Sequence, residues 1–452
     1  MATPSSYTEI CHLHCAQAPP YSVTSTTGIS RERERRARLK KKAMDCKHLV
    51  PENELQEMRN FFENRDFLEA VDGVKKSLED IDQVPLNIAV TGESGSGKST
   101  FINVIRGLND EEEGSAKTGV VATTMYPTAY SHPHHRNVRY WDLPGIGSPG
   151  FTPLDYLQTV KFYQYDFFLI ITTERFREYH ILLAQAIKSM GKKFYFLRSK
   201  IDSVLKGYRR GRANCYKEED ILAEIRKDCL NGLRAGGIEN PRVFLLSCLH
   251  PEKYDFHLIQ KTLEDELPSH KRHIFLLSQP NYFHQALEKK RKAFQLQIWK
   301  WAIMSLMNIM TSQWSGVHSA LAIPHLSTSG DLNLMVNVLE EYKKAFGLDT
   351  RSLLILAETF GKDVEDLKSV IRTPTASQEI THELIFNNLK SRGLTDMGRL
   401  VTACTNQFVP QISALASGGI AFGISYWMLS SFLANMAKDA ERVLAKALEM
   451  DD

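Results

Sequence analysis

Gly92-Glu-Ser-Gly-Ser-Gly-Lys98-Ser99 follows the apolar run Leu86-Asn-Ile-Ala-Val-Thr91 and precedes another that starts at Phe101. The first run reads as a buried strand and the second as a helix, the strand-loop-helix setting of a phosphate-binding loop. Gly92, Gly95 and Gly97 let the backbone adopt turn conformations closed to side chains and bring successive N–H groups toward phosphate oxygens. The helix N-terminus adds its positive end. Lys98 is placed to neutralise β- and γ-phosphates, and the Ser99 hydroxyl to ligate Mg²⁺, which keeps most of its waters. Glu93, Ser94, Ser96 and Thr100 complete the candidate contacts. The loop implies a nucleoside triphosphate.

Trp141-Asp-Leu-Pro-Gly145 follows the strand-like Asn137-Val-Arg-Tyr140. Asp142 at a strand end can hold the Mg²⁺ shell through water, and the Gly145 N–H can meet the γ-phosphate, so the segment reads as a switch. Phe194-Tyr-Phe-Leu-Arg-Ser-Lys200-Ile-Asp202 is an aromatic strand ending in a form of the guanine-reading Asn/Thr-Lys-x-Asp motif. Asp202 would accept from the guanine N1–H and N2–H₂, a donor pair that adenine lacks, and Lys200 would lie across the base. Ser199 stands where Asn or Thr is usual. A further strand, Arg242-Val-Phe-Leu-Leu-Ser247, ends where a loop amide would touch the guanine O6, with Ser247 and Cys248 as candidates. These strands alternate with helical patterns at Ile181 to Met190 and Asp220 to Leu233. That alternation predicts an α/β fold with a mainly parallel sheet covered on both faces, its ligands at the carboxyl ends of the strands.

Together with Thr118-Gly-Val-Val-Ala-Thr-Thr-Met125, Trp141-Asp-Leu-Pro-Gly-Ile-Gly147, Tyr165-Asp-Phe-Phe168, Gly191-Lys-Lys-Phe-Tyr-Phe196 and Leu267-Pro-Ser-His-Lys-Arg-His273, these residues resemble the immunity-related GTPases. That family comprises interferon-inducible members of the dynamin-like superfamily, and the resemblance runs from about Glu52 to the C-terminus. It implies a Ras-like GTPase domain joined to a helical domain built from N- and C-terminal helices. It also implies GTP-dependent homodimers or homo-oligomers formed through the GTPase domain, hetero-association with related GTPases, and defence at internal or pathogen-containing membranes. The expected location is cytoplasmic, at the surface of endoplasmic reticulum, Golgi or vacuole.

Lys98 places the chain with the lysine-bearing members, which resemble effectors. Similar members carry a switch-I glutamate after Thr-Gly-Val-Val, where this chain has Ala122. The residue after Gly145 is Ile146, which cannot orient water as glutamine does in small GTPases. Thr123 and Thr124 remain candidates for contacts to Mg²⁺ and the γ-phosphate. The catalytic candidates are therefore Lys98, Thr123, Thr124 and Gly145, and the metal candidates Ser99, Thr123 and Asp142. A GTPase that turns over weakly or on assembly is the leading reading. A non-hydrolysing GTP-binding scaffold is the alternative, and the guanine motif argues against a metabolic kinase.

The 452 residues, 43% of them hydrophobic, suffice for two or three domains. The expected layout is a disordered basic extension over 1–45, N-terminal helices over 46–82, the GTPase domain over 83–256 and a helical domain over 257–452. A formal charge of +3 is too small to argue for nucleic acid. The basic stretch Arg31 to Lys42 reads either as a solvated extension or as a membrane-surface segment, where each basic residue is worth about 1 kcal/mol at an anionic leaflet. Seven cysteines without a secretory segment point to free thiols in a reducing compartment. Residue two is Ala2 and not the glycine that N-myristoylation needs, so acylation is expected, if anywhere, at Cys11 or Cys15.

Helical stripes recur at Leu287, Phe294, Ile298 and Trp301 and at Met335, Leu339, Tyr342 and Phe346, and are expected to close a bundle. The uncharged run Ile412 to Leu433 is long enough to span a bilayer, yet its serines and glycines also suit close helix packing. The resemblance favours the bundle.

Overall fold

The computed structural model describes residues 50–449 except 64, 120–125, 147–151, 175, 212–216, 315–328, 391–393, 406–409 and 411–417. The described residues belong to the unit Val50–Asp452. The basic segment 31–42, Cys11, Cys15, Ala122, Thr123 and Thr124 lie outside them.

Two amphipathic helices, α1 (Glu52–Phe62) and α2 (Phe67–Gln83), lead into β1 (Leu86–Gly92), the phosphate loop and α3 (Lys98–Ile105). Then follow β2 (Thr128–Ser131), β3 (Val138–Asp142), α4 (Pro153–Thr159), β4 (Phe167–Thr172), α5 (Glu178–Ser189), β5 (Lys193–Arg198), α6 (Ile201–Gly211), α7 (Glu218–Ala235) and β6 (Val243–Leu245). The sheet order is β2-β3-β1-β4-β5-β6. All pairings are parallel except β2 with β3, an antiparallel edge that the motifs do not announce.

Strand alternation sorts the core into two layers, since successive side chains point to opposite faces. Ile88, Val90, Leu169 and Ile171 share a buried cluster with Phe101, Ile102 and Ile105 of α3. Ala89, Phe168, Ile170 and Phe196 face the other way, against Leu157 of α4, Leu183 and Ile187 of α5 and Leu233 of α7. After β6, α8 (Phe256–Glu266) and α9 (Ser269–Leu277) complete the first layer through Phe256, Ile259, Leu263, Ile274 and Phe275. The expected domain boundary at 256 thus falls on the first residue of a helix that covers the sheet.

The chain then turns into helices: α10 (His284–Gln295), α11 (Ile298–Trp314), α12 (Ser329–Ala345), α13 (Thr350–Phe360), α14 (Val364–Ser369), α15 (Pro374–Ser377), α16 (His382–Lys390), α17 (Leu394–Thr405) and α18 (Gly418–Leu448). The stripe Leu287, Phe294, Ile298, Trp301 needs correction, because it crosses the break between α10 and α11. Leu287, Phe294 and Ile298 are buried, but past the break Trp299 takes the buried place and Trp301 is only half-buried. Trp299 packs edge-on against Phe61 of α1 at 5.7 Å between ring centroids. Met335, Leu339, Tyr342 and Phe346 are all buried on α12.

α18 passes through this bundle. Its stretch Ile420–Leu448 is long and apolar enough to cross a membrane, but 67% of its most apolar window is buried inside the protein. Gly423 and Gly398 allow α17 and α18 to touch backbone to backbone: a Cβ on Gly423 would stand 2.1 Å from the Gly398 carbonyl oxygen. The Tyr426 hydroxyl donates to Glu54 Oε2 at 2.7 Å, tying α18 to α1. Burial pushes the Glu54 carboxyl up to about 7, against the pull of Tyr426 and Gln295.

Candidate functional site

The candidate residues converge at the carboxyl end of β1, where the strand order reverses, with β3 on one side and β4 on the other. Gly92 ends β1 at φ +143°, and a Cβ there would stand 1.9 Å from the Ile171 carbonyl oxygen, so close approach to β4 demands glycine. Gly95 and Gly97 have φ of +76° and +88° with no atom near a would-be Cβ. Their requirement is conformational. Gly97 is also the residue from which α3 starts.

Lys98 is 7% exposed and curls over its own loop, donating to the Gly92 carbonyl at 3.3 Å and the Glu93 carbonyl at 3.0 Å. Burial lowers its affinity for the proton, while Asp142 and Glu93 favour the charge. Ser99 Oγ donates to Asp142 Oδ2 at 2.7 Å, joining the first residues of α3 to the end of β3. This hydroxyl and carboxylate bring hard oxygens to one point, the donor chemistry that suits Mg²⁺. Beyond Asp142 the chain stays against the loop. Leu143 N–H donates to the Val90 carbonyl and Ile146 N–H to the Gly92 carbonyl, and a Cβ on Gly145 would lie 3.1 Å from Ser94 N. The Ile146 side chain, 5% exposed, is buried in the core layer with Leu143 and Leu157.

The base-reading candidates reach the same loop from β5. Ser199 Oγ donates to the Ser96 carbonyl at 2.7 Å and also approaches that of Thr172. Lys200, at φ +55°, donates to the Gly95 carbonyl at 3.0 Å. Asp202 stands in the first turn of α6, and the buried Ser247 hydroxyl donates to its Oδ1 at 2.7 Å. Ser247 is thus beside Asp202, whereas Cys248 packs against the core and its thiol is pushed up to about 12 by burial.

Glu93 departs from the expectation of a nucleotide contact, because its side chain leaves the cradle. The carboxylate accepts from Thr172 Oγ1 at 3.0 Å and Tyr179 OH at 2.7 Å, and His180 Nε2 lies 2.8 Å away. Arg177 N–H donates to His180 Nδ1, which leaves the imidazole proton on Nε2 facing the carboxylate. Burial opposes ionisation of Glu93, but these hydrogen bonds and the His180 ring outweigh it and hold the carboxyl at about 2. Thr172, Tyr179 and His180 belong to no motif. The signal that points to them is the acid inside a phosphate loop, which must be neutralised elsewhere if it is not to repel the ligand. Tyr156 is a second such support, with its hydroxyl within 2.7 Å of Thr91 Oγ1 and donating to the Pro144 carbonyl.

Residues 52–447 match the family model described as Interferon-inducible GTPase (IIGP). The chain is 42% identical over 404 residues to Interferon-inducible GTPase 5 of Rattus norvegicus, covering 89% of this chain and 84% of that protein. It is 36% identical over 405 residues to Interferon-gamma-inducible GTPase 10 of Mus musculus, covering 89% and 91%. With Interferon-inducible GTPase 1 of Mus musculus it shares 40% over 319 residues, 70% and 74% of the two chains. A match spanning both the sheet and the helices, over a loop built as the motifs require, places this chain in the interferon-inducible GTPase family.

Proposed function

We propose that the protein binds GTP with Mg²⁺ at the loop 92–99 and hydrolyses it to GDP and phosphate, weakly alone and faster when copies associate through their GTPase domains. The observation that carries this reading is the meeting of Ser99 with Asp142 and of Lys200 with Gly95, which puts a metal-binding pair and a base-reading segment on one phosphate loop. The backbone N–H groups and Lys98 would hold the β- and γ-phosphates. Mg²⁺ at Ser99 and Asp142 would neutralise charge developing on the phosphates. Asp202, oriented by Ser247, would accept from the guanine edge. We place the action in immunity at internal or pathogen-containing membranes, with related GTPases as further partners; the basic segment 31–42 supports a membrane surface.

The burial of Ile146 favours a second reading, a scaffold that holds GTP without consuming it, because no side chain at that position reaches the water side of the γ-phosphate. A single-turnover GTP assay across protein concentrations separates the two. Rates that climb with concentration support the assembling enzyme. Nucleotide bound and unconsumed at every concentration supports the scaffold.

A further inference from the structure

Away from the nucleotide loop, a cavity of about 80 Å³ lies between the turn joining β2 to β3 and the helices α10, α12 and α13. Its wall carries Arg106, His132, His135 and Lys290, which are 5%, 6%, 9% and 2% exposed, with Lys344 and Arg351 as the more exposed basic residues. No carboxylate lines it among the described residues. Lys290 donates to the carbonyls of Gln279 and Ala345 and to Asn281 Oδ1, all neutral acceptors. Arg106 uses Nε and Nη2 on the carbonyls of Ser131 and Gly114, but its buried Nη1 has no partner. His132 Nδ1 accepts from the N–H groups of His134 and His135, which leaves its proton on Nε2.

Arg351 pairs with Glu112 at 2.6 Å, outside the wall, but burying Arg106, Lys290 and the two histidines with no carboxylate among the described lining residues is costly. Burial lowers Lys290 to about 7 and, helped by its cationic neighbours, His135 to about 3. An anion would relieve both effects. Gln279, another wall residue, holds a buried Oε1 that also has no partner. An unpartnered guanidinium N–H and an unpartnered amide oxygen ask for a ligand with both acceptor and donor oxygens, which a hydrogen phosphate has and a sulfate lacks.

We propose that this cavity binds a phosphate group, either inorganic phosphate or a phosphomonoester, as a second anion site distinct from the nucleotide loop. Arg106 directly follows α3, the helix that begins at Lys98, so the ligand would clamp the far end of that helix to the helical bundle. The free anion and a lipid headgroup are two sources of the same chemistry.

Full-length protein saturated with GDP and Mg²⁺ is titrated with inorganic phosphate, with sulfate, and with vesicles containing phosphatidic acid, and binding is read by calorimetry. Saturable phosphate uptake at one site, about tenfold tighter than sulfate, is the expected result. Competition by the vesicles would identify a lipid headgroup, and its absence a free anion. Lys344→Glu, an exposed change that spares the fold, and Arg106→Gln should each weaken uptake by about tenfold. Absence of saturable uptake by either source overturns the proposal. So does uptake that is lost in Lys98→Ala yet unchanged in Lys344→Glu, because that phosphate would sit in the nucleotide loop.

Discussion

The Glu93 carboxylate, drawn from within the phosphate loop, lies 2.7 Å from the Tyr179 hydroxyl at the start of α5. The contact anchors the loop to the β4–α5 junction and turns a negative charge away from the phosphates. It also links stability to pH. The folded carboxyl titrates at about 2 against an ordinary 4.5, so its contribution is fully present above pH 4.5 and is lost as pH falls toward 2. The shift corresponds to about 3 kcal/mol. Glu93→Gln should therefore be less stable than wild type at pH 7 and draw level near pH 2 to 3. Urea midpoints across that range check it, and parallel acid profiles would refute the linkage.

Lys98→Ala should weaken GTP binding by roughly a hundredfold or more, the loss of charge-assisted bonds worth about 3 kcal/mol. Among the described residues Lys98 donates to two carbonyls of its own loop, so the melting temperature should hardly move. Calorimetry on the folded variant decides it. Unchanged affinity would remove the loop from the nucleotide site.

Motif residues make most of the candidate site legible, because phosphate and guanine chemistry demand particular groups at particular strand ends. Ser99 with Asp142 and Ser247 with Asp202 follow that logic. Supporting elements were harder to see. β2 is a four-residue edge whose side chains are all at least partly exposed, so it lacks the apolar alternation that reveals a strand. β4 is fully buried, and past the quoted Phe167-Phe168 it bears no motif residue. Tyr179 and His180 reach the loop through Glu93, which lies 86 residues from Tyr179 in sequence, a contact that no local pattern encodes. Periodicity likewise could not see the break between α10 and α11, which exchanges Trp301 for Trp299.

Asp202→Asn should lower GTP affinity by about tenfold to a hundredfold and shift preference toward xanthosine triphosphate, since the amide would donate to the xanthine O2 where the carboxylate would accept from guanine. The Ser247 hydroxyl can still bond an amide oxygen, so the geometry should survive. Competition between the two nucleotides reads the preference directly, and no movement would place the base elsewhere.

Gly423→Ala should destabilise the protein by about 1–3 kcal/mol, because the new Cβ would press on the Gly398 carbonyl at the α17–α18 crossing. Gly207→Ala in α6, with nothing within 4 Å, should instead be neutral or stabilising by up to about 1 kcal/mol. Thermal melts of both variants test the bundle. If α18 left the bundle for a bilayer, Gly423→Ala would melt with wild type.

Ala122→Glu should raise GTP turnover in the associated protein more than it changes GTP affinity. Ile146 is held in the core by its side chain and to Gly92 by its N–H, so it has no freedom to orient the attacking water. A carboxylate on the segment 118–124 would supply a contact made only as charge develops, and such contacts appear in the catalytic rate. The gain should be about tenfold to a hundredfold, in the lower range of general-base effects. Turnover of wild type and variant is compared at protein concentrations where both associate. Equal rates with intact association would mean that another residue positions the water and that Ala122 is not the catalytic gap.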